Sequence, residues 1–184
     1  MDFISTLWMP ILLSAVFVFI ASSVIHMVLG YHASDYDKLP DEDGTMDAIR
    51  NLNIPPGQYL MPKASSMKDF KSPEFQAKLN KGPAALLNIR QHKHDMSKNL
   101  LQWFLYCLVI SFFTAYVVSH TVAQDAHYLV VFRVVGAVAF MAYGMGHITE
   151  SIWAGRSWSA TGKSVFDGLV YALLTAGTFG WLWV

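Results

Sequence analysis

Four runs of apolar side chains, at about 4–30, 100–122, 129–152 and 165–184, interrupt an otherwise mixed chain. Each reaches the roughly 20 residues that a helix needs to cross a hydrocarbon core. The first three hold almost no formal charge. Backbone groups in lipid must find partners within their own segment, so helices are expected. The pattern predicts an all-α integral membrane fold with four transmembrane helices, one membrane domain over 1–184 with a loop at 31–99 between the first and second helices. The start, Met-Asp-Phe-Ile-Ser-Thr, lacks the basic lead of a secretory signal and its apolar run is too long for one, so the first helix is expected to stay.

Basic residues decide the orientation. Ten of them, from Lys38 to Lys98, lie between the first and second runs, and Arg156 and Lys163 lie between the third and fourth. The connection from Thr121 to Tyr128 has none. By the positive-inside rule both termini then lie outside and the long loop faces the cytoplasm, an N-out/C-out arrangement. Arg133 is the exception; it is near the outer end of the third helix, where its stem can lift the guanidinium to the headgroups and Asp125 can meet it. Trp8, Trp181 and Trp183 fall near the outer interface and Trp103, Trp153 and Trp158 near the inner one, as an aromatic belt does.

The loop is more than a linker. Asp41 to Leu52 predicts a short helix with Asp41, Glu42 and Asp43 at its positive end and Met46, Ile49 and Leu52 on one face. Pro55-Pro56-Gly57 breaks it. Ser72 as N-cap and Pro73 in first position start a second helix, which Gly82-Pro83 ends. Ala84 to Ile89 suits a strand or an interfacial segment equally.

Composition agrees with lipid as the solvent: 54% of residues are hydrophobic, more than a soluble domain of 184 residues carries. Thirteen basic and 13 acidic residues cancel, which gives no global field to attract nucleic acid. The single Cys107 lies in an apolar run and reads as a small core residue.

Gly168, Ala172, Ala176 and Gly180 place a small residue at every fourth position of the fourth helix. Lipid supplies no hydrophobic force between helices, so such a ridge is how backbones approach one another. Gly136, Ala139, Ala142 and Gly146 form a less regular stripe on the third helix, and the two helices are expected to pack together. Either face could instead serve a homo-oligomer.

Candidate chemistry gathers near the cytoplasmic helix ends. His26 on the first helix and His147 and Glu150 on the third are at similar depth, with Asp167 at the start of the fourth. Two imidazoles and a carboxylate can hold a transition-metal ion or relay a proton, and ionisable groups in membranes are functional suspects by default. The ordinary account carries more weight: these groups can reach water, Asp167 is favoured by the helix dipole, and Glu150 can pair with Arg156 or Lys163. A bis-histidine haem is the weakest reading, since only one deep His pair is available. Gln91 to Met96 holds His92 and His94, but Lys93 and Lys98 repel a cation there and contact with anionic lipid fits better. His120, Asp125 and His127 outside are too few to build on. No nucleophile elbow, His-Glu-x-x-His or phosphate-binding loop is present.

The phrases Tyr36 to Asp43, Pro56-Gly57-Gln58-Tyr59, Ser151-Ile152-Trp153 and Asp167 to Gly177 resemble an uncharacterised group of bacterial four-helix inner-membrane proteins over most of the chain. The resemblance implies a bacterial inner membrane and carries no functional residue with it. Taken together, the expectation is a non-enzymatic membrane component, oligomeric or accessory to an assembly, with the bilayer and a second protein copy or complex as partners. The alternatives are a small oligomeric channel or transporter, and a metal-binding protein or metalloenzyme using His26, His147 and Glu150.

Overall fold

A computed structural model describes residues 3–90 and 95–183 of the chain and is 74% helical. His92, Lys93 and His94 of the His-rich loop segment lie outside the described residues.

In chain order the elements are α1 (Phe3–Val24), a π-helical turn (Ile25–Leu29), a 3-10 turn (Tyr31–Asp35), α2 (Glu42–Asn51), β1 (Gly57–Met61), α3 (Met67–Phe70), α4 (Pro73–Lys81) and β2 (Ala85–Ile89). There follow α5 (Met96–Thr121), α6 (Tyr128–Tyr143), a 3-10 turn (Met145–His147), α7 (Ile148–Ala154) and α8 (Trp158–Trp181). They divide into two compact units, one of residues 1–37 and 95–184 and one of residues 38–94.

In the first unit α1 packs against α5 and α8, and α6 packs against α8 and α5. Two apolar clusters fill it. One centres on Val18, Cys107, Ala139 and Ala172, the other on Leu7, Val118, Val135 and Phe179. α1 is broken at Leu7 (φ −107°, ψ 15°), one turn before Pro10, whose ring lacks the N–H that would bond Thr6 and crowds that carbonyl. Outward faces stay apolar, as at Leu12, Val109, Phe113 and Met141, which suits contact with hydrocarbon better than with water.

Three stretches are long and apolar enough to cross a membrane: Phe3–Leu29, Met96–Thr121 and Tyr128–Ala154. The fourth expected span is not among them. Its helix starts at Trp158, earlier than the expected 165, because the Ser157 side chain accepts a hydrogen bond from the Ala160 N–H and caps it there. The added turns bring Thr161, Lys163 and Ser164 into α8, whose buried side also holds Asp167, Thr175 and Thr178. A helix covered by its neighbours needs less hydrophobicity than one bathed in lipid.

The small residues of α8 lie at its closest approaches. A Cβ at Gly168 would stand 2.5 Å from the Cα of Gly144, and one at Gly180 would stand 2.6 Å from the Tyr128 ring. Ala172 and Ala176 are buried between them, and Gly136 faces Ala176.

In the second unit β1 and β2 pair antiparallel, from Gly57 opposite Ile89 to Met61 opposite Ala85. Ala85–Ile89, open between strand and interfacial segment on sequence, is thus a strand, and its partner at Gly57–Met61 makes the loop mixed rather than all-α. Asp41 caps α2 through Gly44, and Ser72 caps α4 through Phe75, with Pro73 in its first turn. Among the described residues of this unit Phe75 is the buried one, its ring against Phe70.

Candidate functional site

The site grows from the way α1 ends. After the π-helical turn, which carries His26, Gly30 takes a left-handed conformation (φ 62°) that side chains other than glycine rarely adopt. The chain reverses into the Tyr31–Asp35 turn, and His32 comes back against His26 with ring centroids 4.5 Å apart, stacked.

α8 supplies the other half. Asp167 is 3% exposed. Its Oδ1 accepts a hydrogen bond from the Tyr31 hydroxyl, and its Oδ2 lies 2.7 Å from His32 Nε2 and 3.9 Å from His26 Nε2. On the far side of His32, Nδ1 is 2.6 Å from Asp35 Oδ2. Lys163, one turn before Asp167, donates to Asp35 Oδ1 at 2.8 Å, to Ser34 Oγ at 2.7 Å and to the Tyr31 carbonyl at 2.8 Å. All three ammonium protons are thereby used.

Asp35 has a 5% exposed side chain. That burial alone would raise its carboxyl, but the hydrogen bonds from His32 and Lys163, with their charges, outweigh it and hold the group below the ordinary aspartate range. It stays ionised and fixes the His32 ring.

His26, His32 and Asp167 each offer one ligand atom, and these atoms lie within 4.8 Å of one another. Ligand atoms around a tetrahedral zinc are about 3.3 Å apart, so side-chain movements of about an ångström would bring them onto one ion. His32 Nε2 is engaged by Asp167 Oδ2 at 2.7 Å, so an ion taking that nitrogen's lone pair would replace this contact, with Nδ1 still donating to Asp35 in the carboxylate–histidine arrangement that orients metal ligands.

Beside the cluster is a cavity of about 400 Å³. His26, Asp167 and His147 line it, with Trp103, Tyr106, Tyr143 and Tyr171 as aromatic walls. The rings pack on each other, Trp103 lying 5.5 Å from Tyr106 and 6.0 Å from Tyr171, and Tyr143 lying 5.6 Å from Tyr171. At its rim Arg156 donates to Glu150 Oε2 and to Ser164 Oγ, both at 2.8 Å.

Of the three metal candidates read from sequence, His26 belongs to the ligand cluster. His147 instead pairs with Glu150 at 3.7 Å, and Glu150 turns to Arg156. His26 and His147 do converge, on the cavity. Sequence reasoning misses His32, because spacing along a helix cannot express the reversal at Gly30. That glycine, between two histidines at the end of an apolar run, is the signal that could have found it.

No protein-family model matches the chain, and comparison with characterised proteins and with solved structures finds no match either.

Proposed function

We propose that this is a multi-span inner-membrane protein that binds one divalent transition-metal ion at the cytoplasmic end of its helices, through His26, His32 and Asp167. The observation that carries the reading is the approach of these three ligand atoms to within 4.8 Å, with Asp35 behind His32 as its orienting carboxylate. Two imidazoles and a carboxylate suit zinc, cobalt or iron(II), and leave coordination positions open. Support for four spans, N-out/C-out, comes from the three apolar helices together with the shielded α8 and the distribution of Lys and Arg.

The test is metal loading. Protein stripped with chelator and reloaded with Co²⁺ in mild detergent is expected to hold one equivalent by elemental analysis and to show the visible bands of low-coordinate cobalt. His32→Ala and Asp167→Ala lose it, whereas His147→Ala keeps it. Wild-type protein that retains no cobalt sinks the reading, and loss in His147→Ala with retention in His32→Ala would move the site to the other histidine. For topology, a cysteine at Lys78 should resist an impermeant maleimide on intact cells while one at Ala123 reacts; the reverse pattern inverts the protein in the membrane.

A further inference from the structure

The metal cluster gives no role to His147 on the cavity wall and uses only one ring nitrogen of His26. His26 Nε2 is 3.9 Å from its carboxylate and His147 Nδ1 is 3.7 Å from Glu150, both beyond hydrogen-bond length, and the two side chains are 51% and 39% exposed. His26 keeps a second ring nitrogen whether or not the first binds a metal.

We propose that this cavity holds the ring of a lipid-soluble quinone, its carbonyl oxygens accepting hydrogen bonds from His26 and His147. Four observations converge on that ligand class. A cavity of about 400 Å³ is at the small end of ligand sites, with room for one or two fused rings. Its aromatic walls, Trp103, Tyr106, Tyr143 and Tyr171, favour a planar π-system. Its fixed charges are already matched, Arg156 by Glu150 and Asp167 by Tyr31 and His32, so a charged ligand would have to break a pair whereas a neutral carbonyl compound would not. Finally, His26, Trp103, Tyr106, Tyr143 and His147 all belong to the stretches apolar enough to cross a membrane, which gives a ligand with a hydrocarbon tail a route from the lipid. The proposal concerns binding, and does not require the metal.

The experiment uses the full chain, stripped with chelator and reconstituted in lipid nanodiscs, titrated with a decyl-substituted benzoquinone while tryptophan emission is read. Because the protein is metal-free, failure here is independent of the cobalt result. Quenching is expected to saturate, and Trp103→Phe should lose the saturable part. His147→Leu should weaken binding roughly fivefold, the equivalent of one neutral hydrogen bond, and His147→Asn, which retains a donor, should restore most of it. Ser164→Phe, projecting into the cavity with Trp103 intact, should abolish saturation even if Trp103→Phe fails to fold. Quenching that rises linearly and is equal in Ser164→Phe means partition into the bilayer only, and overturns the proposal. So does saturable binding that His147→Leu leaves unchanged.

Discussion

Gly168→Ala is the sharpest probe of how α8 is held. The new Cβ would lie 2.5 Å from Gly144 Cα, 2.7 Å from Gly144 N and 2.8 Å from the Tyr143 carbonyl carbon. Carbon atoms at rest stand about 3.5 Å apart, so α8 and α6 would have to separate by about 1 Å. All three atoms are backbone, and no rotamer change relieves the clash. Overpacking of this kind costs about 1–3 kcal/mol, against a gain of up to about 1 kcal/mol from replacing glycine by alanine in a helix. A net loss of about 1 kcal/mol, from the middle of these ranges, should lower the midpoint of thermal unfolding in detergent by about 2–4 °C for a chain of this size. Two controls isolate the cause. A Cβ at Gly162 would meet nothing within 4 Å, so Gly162→Ala should raise the midpoint through helix propensity alone. The three atoms nearest a Cβ at Gly180 all belong to the Tyr128 side chain, which can swing aside where backbone cannot, so Gly180→Ala should fall between the two. A Gly168→Ala protein that melts at or above the wild-type temperature would refute the close approach of the two backbones.

Two further outcomes follow from the site and its caps. Asp35 has its carboxyl held below the unfolded value, so its contribution to stability is complete above the ordinary aspartate pKa of about 3.9 and is lost as pH falls through the lower folded value. The melting difference between wild type and Asp35→Asn should therefore be constant at neutral pH and shrink below about pH 4, and a difference that persists undiminished to about pH 2 contradicts the ion pair with Lys163. Ser157→Ala removes the cap of α8 and should cost about 1 kcal/mol, read as faster amide exchange over the first turn with little change beyond it.

Much of the helical architecture is legible in the sequence because its signals are local. Three of the four apolar runs are helices long enough to cross a membrane, Ser72-Pro73 starts a helix, and the small residues four apart lie at close approaches of α8. β1 is not legible: five residues, Gly57–Met61, form a strand only by pairing with Ala85–Ile89, and that partner lies beyond two intervening helices. Helix boundaries shift because hydropathy is blind to caps, as Asp95 starts α5 at Met96 and Ser157 starts α8 at Trp158. The histidine cluster is half visible. Counting along helices places His26 and Asp167 at one depth, but His32 and Asp35 reach them only through the reversal at Gly30.

A network of this kind has a purely structural use, and the surplus over that use is what argues for binding. To clamp the Tyr31–Asp35 turn onto α8, the pairs Asp35 with Lys163 and Asp167 with Tyr31 and His32 are sufficient. A clamp has no need of His26, stacked on His32 yet without a hydrogen bond to Asp167, nor of His147, which lines the same cavity. Ionisable side chains in apolar helices carry a cost that a merely structural role would have left to alanine or leucine. His26→Leu with His147→Leu should therefore leave the melting temperature within about 2 °C of wild type, as surface changes within about ±0.5 kcal/mol do, while abolishing cobalt retention and saturable quinone binding. If that double variant instead unfolds, the two imidazoles belong to the clamp, and the site reduces to a device for holding the end of α1 against α8.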